Sequence, residues 1–220
     1  MSDDLDDLIR RTDPDRWLSS RFIGDAQARA DVIVLYAYDY ELARAPKVAS
    51  NSLLGEIRLT WWREALDEIY DGRPPRRHPT VQALADVVRR RGLPKAPLET
   101  MIDARYRELD ATPMKPNEAL EWARDTGGQA AELAAAILAP GTDTGPARAA
   151  GTAWSLARRA ADQPRLAGMS ARTLKGARQA VRSLPAAAFP AAAHAALAGR
   201  RRSAVLDRLR MIWAVARGRI

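Results

Sequence analysis

Apolar residues recur at three- and four-residue intervals along nearly the whole chain, and nowhere do β-branched residues alternate strictly with polar ones. That period gathers apolar side chains on one face of a helix, which confines the chain to an all-α fold. Proline and glycine cut the pattern into helix-sized pieces. The first long helix is predicted over 21–45, with Ile23, Val32, Leu35, Tyr36 and Leu42 at its apolar positions and Pro46 as its stop. Asn51 and Ser52 can cap a second, which runs through Leu54, Ile57, Trp61, Ala65 and Ile69 to Gly72. Arg63 and Asp67 are expected to pair on its exposed face. Further helices are predicted over 80–91, ended by Gly92 and Pro94, and over 97–110, 117–138, 147–162, 171–183 and 201–216. No fixed-period repeat is evident, so the pieces should close into one bundle over residues 1–220 rather than a solenoid.

Composition removes several kinds of chemistry. Without cysteine there are no disulfides, thiolate metal sites or cysteine nucleophiles. The two histidines, His78 in an Arg-Pro loop and His194 in an alanine run, have no partner at metal-ligand spacing, so no metal is expected on them. No uncharged apolar run reaches the length of about 18 residues that spans a bilayer. The acidic start, from Met1 to Asp7, differs from the basic start of a secretory signal or presequence, and the expectation is a cytoplasmic protein. The formal net charge of +8 is unevenly spread: residues 146–220 hold 15 Lys and Arg against Asp162 and Asp207, a local +13, which leaves −5 for residues 1–145. The N-terminal 1–15 are acidic. A basic third of this kind favours an anionic membrane surface, an acidic protein or a nucleic acid. Trp154, Phe189 and Trp213 are too few aromatics for a base-stacking platform, so no nucleic-acid partner is expected.

Helical bundles that do chemistry in their interior project acids inward at spacings of three or four. Asp3 with Asp7, Glu64 with Glu68, Glu99 with Asp103 and Glu121 with Asp125 have that spacing and are read as solvated helix faces. A magnesium site gripping a diphosphate would need acids from two facing helices, and the basic third offers it Asp162 alone. No phosphate-binding glycine loop, dinucleotide fingerprint or nucleophile elbow is present. Gly127-Gly128 reads as a helix breaker or a close-packing site.

Several blocks, in order and spacing, are similar to a known family: Asp13-Pro14-Asp15-Arg16-Trp17-Leu18, the run from Leu35 to Arg44, the run from Leu54 to Leu66 with Trp61-Trp62-Arg63, and His78-Pro79-Thr80-Val81. Ile102 to Arg105, Trp122 with Thr126-Gly127-Gly128, Gly151 to Ala157 and Trp213 to Arg219 continue the series. Together they resemble the squalene/phytoene synthases. The resemblance implies an isoprenoid-synthase-like helical bundle with a central cavity. Active members join two prenyl diphosphates head to head, holding magnesium and diphosphate on two aspartate-rich motifs. Here the first motif falls on Ala43, Arg44 and Lys47. The second falls on Ser155, Arg158, Ala161, Asp162 and Leu166, of which Asp162 alone is acidic. The chain is also shortened relative to active members after Asp162, which would open the reaction chamber to water.

The resemblance thus implies a degenerate synthase without a cofactor, of the branch that includes the mitochondrial assembly factor for respiratory complex I. Such a protein would be peripheral to the inner membrane. It would dock on a membrane-bound subunit or anionic lipid, with Arg200, Arg201 and Arg202 as the sharpest part of its surface. The alternative is a working head-to-head prenyltransferase with magnesium. In that reading Arg44, Arg105 and Arg158 clamp the diphosphate of a prenyl ligand, Tyr36 and Tyr40 line the cavity, and Asp162 is a remnant ligand.

Overall fold

A computed structural model describes residues 2–47, 51–199 and 203–220; Arg200, Arg201 and Arg202 lie outside the described residues. The described residues are helical, without strands. In chain order the helices are α1 (Ser2–Thr12), α2 (Pro14–Ser20), α3 (Ala26–Lys47), α4 (Ser52–Tyr70), α5 (Pro79–Arg91) and α6 (Lys95–Tyr106). They continue as α7 (Pro116–Ala123), α8 (Gln129–Leu138), α9 (Gly145–Asp162), α10 (Ala167–Ala180), α11 (Pro190–Ala193) and α12 (Ala204–Arg217).

Local chemistry sets most of these boundaries. Asn51 accepts a bond from the Leu54 backbone N–H at 2.9 Å and so caps α4. Gly92 takes the left-handed conformation at φ 61° that ends α5. The first long helix starts later than the apolar pattern predicts: residues 21–25 form a turn, and Asp25 accepts the Ala28 N–H at 2.6 Å to begin α3. Pro46 does not stop it but sits in its last turn. The predicted helix over 117–138 is interrupted by a π-helical turn, Arg124–Gly128.

Helix α3 is the axis of the bundle. It is buried almost all round from Asp31 to Asp39, and α1, α4, α5, α6 and α8 pack against it. Asp31 on this helix is 1% exposed and meets the last turn of α5 through Arg90 and, at 2.7 Å, Arg91. The pairing of Arg63 with Asp67 does not form. Arg63 bonds Asp103 on α6, and Lys95 at the start of α6 reaches Asp67 at 2.7 Å, so both side chains tie α4 to α6. Helix α1, in the segment read from sequence as an acidic lead, buries Leu5 and Ile9 one turn apart. Asp6 ties α1 to α2 and the turn after it by accepting from Trp17 Nε1 at 2.9 Å and Arg21 Nη2 at 2.5 Å.

The π-helical turn lets α9 approach closely. A Cβ on Gly151 would collide with the carbonyl oxygen of Gly127 and lie 2.6 Å from the Ala131 Cβ. Gly127 and Gly128 are therefore a packing site, one of the two roles open to them from sequence. After Asp162 the chain turns into α10, which packs back along α9. Gly151→Ala should lower unfolding stability by about 1–3 kcal/mol through overpacking. Gly176→Ala, on a face of α10 with open space around the added methyl, should raise it by about 0.5–1 kcal/mol. Urea denaturation of the two variants checks both signs.

Candidate functional site

Asp39 is the one charge in the run 32–40 of α3, and it is 4% exposed. A carboxylate in that place is stable only if its oxygens are satisfied by cations or strong donors. Two arginines do so. Arg16 on α2 donates from Nη2 to Asp39 Oδ2 at 2.7 Å, and Arg105 on α6 donates from Nη2 to Asp39 Oδ1 at 2.6 Å. Each arginine then reaches a second acid: Arg16 Nε donates to Asp13 Oδ2 at 2.5 Å, and Arg105 Nη1 donates to Glu108 Oε1 at 2.6 Å. The outcome is a line of alternating charge, Asp13, Arg16, Asp39, Arg105, Glu108, through the junction of α2, α3 and α6. Trp122 Nε1 donates to Glu108 at 2.9 Å and Arg158 lies 3.8 Å from Asp13, so both ends have further partners.

The field inside this line is set by its geometry. Burial works against the Asp39 charge, but the guanidiniums of Arg105 and Arg16 outweigh it and hold the carboxyl below its usual range. Burial likewise opposes the charge of Arg16, and Asp13 with Asp39 more than offsets it, so that arginine stays protonated. Aromatic rings complete the lining. The Arg16 guanidinium lies 4.8 Å from the centroids of both Tyr36 and Trp154, and Trp154 Nε1 donates to Asp15 at 3.0 Å. His194, fully buried after α11, stands edge-on to Trp154 at 5.1 Å. Burial, then the nearby Arg16, pushes its imidazole down to about 3, so it is neutral at physiological pH. Among the described residues, neither ring nitrogen of His194 nor the Tyr36 hydroxyl has a protein hydrogen-bond partner.

The residues singled out from sequence are dispersed over the bundle. Arg105 belongs to the line, and its bonds to Asp39 and Glu108 commit both of its terminal nitrogens. Tyr36 is buried in the core, and its hydroxyl has no protein hydrogen-bond partner among the described residues. Arg158 is 45% exposed at the rim, stacked 4.7 Å from Trp154. Arg44 and Tyr40 form a separate pair, the exposed Arg44 bonding Glu41 at 3.1 Å and lying 5.7 Å from the Tyr40 ring. Asp162 is exposed at the end of α9. The six thus do not form one diphosphate pocket. Asp39 is not among the residues singled out from sequence, yet it is the centre; an acid in an otherwise apolar run is the signal that marks it. Asp13, Asp15, Arg16 and Glu108 were not singled out as site residues, and His194 was considered only as a metal ligand; the contacts of Arg16 with Asp39, Glu108 with Trp122 and Asp15 with Trp154 span 23, 14 and 139 residues.

Magnesium does not fit the position where the first family motif falls. Ala43 offers no ligand, Arg44 is a cation turned to Glu41, and the oxygens of Asp39 are both taken by guanidiniums. Among the described residues no group of three or more His, Asp or Glu could hold a metal. Clefts of about 480 Å³ beside α1 and α3 and about 370 Å³ between α9 and α10 are lined by none of the five residues of the line.

A profile of squalene/phytoene synthases matches residues 9–165. Complex I assembly factor 6 from Bos taurus is 31% identical over 133 residues, 60% of this chain and 39% of that protein. The Homo sapiens protein of the same name is 31% identical over 104 residues, 47% of this chain and 31% of its own length. The matched segments thus cover less than half of those curated relatives. A crystal structure of a dehydrosqualene synthase in complex with ligand superposes with a TM-score of 0.79, over 98% of this chain and 95% of that one, at 12% identity. It shares the all-α isoprenoid-synthase-like fold.

Asp39→Ala would leave Arg16 and Arg105 buried without their shared anion, and should cost about 3–5 kcal/mol in denaturant unfolding. Stability should also fall with acid in a defined window. A histidine whose pKa drops from 6.5 to about 3 on folding contributes fully above about pH 6.5 and loses its contribution as pH falls toward 3. The slope is up to about 1.4 kcal/mol per pH unit. His78, half-buried against Trp61 and Trp62, acts in the same sense, while Asp39 titrates below its ordinary 3.8. His194→Phe should therefore flatten, without abolishing, the fall in melting temperature between pH 6.5 and 4.

Proposed function

Because this chain belongs to the squalene/phytoene synthase family, its interior is measured against prenyl diphosphate chemistry, and we propose that it has left that chemistry and serves as a folded scaffold in the assembly of a membrane respiratory complex. The observation that carries the reading is the fate of Asp39, whose two oxygens accept from Arg16 and Arg105 inside the bundle. Diphosphate transfer needs free carboxylates that share a divalent ion with the leaving group, so that negative charge building on the pyrophosphate is neutralised. Here guanidiniums neutralise the interior acid instead, and Ala43, Arg44 and Lys47 stand at the first motif. Asp162, the remaining acid of the second, faces solvent.

The rival reading, a working transferase that holds diphosphate with arginine, is weakened by the same geometry. Arg105 is committed to two acids, and Arg44 lies at the surface beside Glu41. The assembly half of the proposal draws on the relatives named complex I assembly factor 6, which align with up to 60% of the chain. Peripheral attachment to the inner membrane belongs to the same reading. No helix among the described residues is long and apolar enough to cross a bilayer.

Incubation of the purified chain with farnesyl or geranylgeranyl diphosphate and magnesium should release no pyrophosphate and form no presqualene- or phytoene-type product. Deletion of the gene should lower the amount of assembled complex I on native gels, with recovery when the chain is supplied again. A prenyl product, or unchanged complex I in the deletion strain, overturns the proposal.

A further inference from the structure

Among the described residues, large apolar side chains are exposed in two places: Leu53, Leu54 and Ile57 at the start of α4, and Val205, Leu206, Leu209, Ile212 and Trp213 on α12. The second is the more organised. Helix α12 is held to the bundle by Met211 and Ala214, which are 0% and 3% exposed. At about 100° per residue, Val205, Leu209, Ile212 and Ala216 fall on the side opposite those two, with Trp213 and Leu206 along one edge. These side chains are far from marginal: Val205 is 69% exposed, and Leu209 and Trp213 are each 57% exposed.

Charge borders the stripe on both flanks. Arg208 lies on one side and Arg217 on the other, both exposed, with Arg217 stacked over the Trp213 ring at 3.4 Å. Arg219 is exposed just beyond the helix. Asp207, the one acid in residues 203–220, is occupied by Arg210 at 3.1 Å and by the Ser203 N–H at 3.0 Å. The face therefore presents an apolar centre, a positive border and a tryptophan at the edge. Residues 146–220, to which it belongs, carry a formal +13.

We infer that α12 is an interfacial membrane-binding helix, which lies in the plane of an anionic bilayer with Val205, Leu209, Ile212 and Trp213 among the acyl chains and Arg208, Arg217 and Arg219 at the headgroups. The charge arrangement selects this occupant. A second copy of the chain would set arginine borders against each other, whereas a surface of phosphate-bearing lipids complements the arginines and accepts the apolar stripe without a shaped groove. Tryptophan at the edge suits the boundary between headgroup and hydrocarbon, and arginine can bury its stem while its head stays in water. Helix α12 is 14 residues long, too short to cross a bilayer.

The inference rests on the membrane-associated scaffold reading for its setting, and the two can fail separately. The full chain is mixed with vesicles of phosphatidylcholine plus phosphatidylglycerol, or of phosphatidylcholine alone, and floated on a density gradient. It should float with the anionic vesicles at low salt, and Leu209→Asp with Ile212→Asp should weaken binding at least about tenfold while leaving the melting temperature unchanged. Arg208→Glu with Arg217→Glu should weaken it and reduce its salt dependence. Should the aspartate variant unfold, brominated anionic lipid gives an independent readout: it should quench the wild-type emission more than that of Trp213→Phe. The inference is overturned by a wild-type chain that stays out of anionic vesicles, by equal flotation of a folded aspartate variant, or by equal quenching of the two proteins. It is also overturned if the aspartate pair merely converts a wild-type dimer to monomer in sedimentation, because the face is then covered by a second copy. Loss of vesicle binding with complex I assembly still dependent on the chain discards the helix inference alone. A prenyl product discards the scaffold reading alone.

Discussion

The two-sided grip of Arg16 and Arg105 on Asp39 is the interaction on which the interior depends. It joins α2, α3 and α6 at a point where α3 is buried nearly all round. A lone carboxylate there would be forced toward its neutral form or would open the helices to water. Neither arginine could be buried alone, either. Each needs Asp39, and each has a further acid, Asp13 or Glu108, to satisfy another of its nitrogens. Packed apolar residues could have filled the same volume at similar or better stability. What the ion line adds is a requirement that three helices from distant parts of the chain meet in one register.

The same fold is reached with little sequence in common with a solved synthase. The backbone superposes on a dehydrosqualene synthase over nearly its whole length at 12% identity. A helical bundle is specified by which faces are apolar, by the lengths of its pieces and by a few fixed crossings, and many sequences meet those conditions. The close crossing of the π-helical turn with Gly151 is one such fixed point. The chemistry of the interior is specified by individual oxygens, and it can change without disturbing the crossings. A guanidinium line of this kind keeps a polar junction satisfied with side chains anchored to helices.

Elements with strong local signals were legible from sequence. Asn51, Gly92 and the long apolar stripes placed α4, α5 and α9 within a few residues of their observed bounds. Helix α1 was not read because Leu5 and Ile9 lie among Asp3, Asp4, Asp6 and Asp7, where composition draws the eye before period does. Helix α2 has seven residues, too few to show a period. Arg63 and Asp67 had the right spacing for each other and found partners on α6, because tertiary geometry outweighs a surface pair of about 0.3–0.5 kcal/mol. The site was harder still. Asp39 and its arginines are separated by 23 and 66 residues, so the acid was visible as an anomaly in an apolar run while its partners were not. Arg105 was found through family resemblance, and its role came from the structure.

The distribution of charge then ties interior to exterior. The ion line is close to neutral, with three acids against two arginines and Arg158 at its rim. It therefore absorbs almost none of the chain's +8, which must be displayed on the surface, where residues 146–220 concentrate it. A surface field of that kind attracts from a distance but is screened within about 8 Å at physiological salt, so by itself it gives encounter rather than residence. Residence needs a contribution that salt does not screen. The exposed apolar stripe of α12 lies between the arginines of the same basic third, and burying it would supply that contribution. With the interior line nearly neutral, the exposed charge and the exposed apolar stripe meet on the outside of the bundle, on the one helix α12.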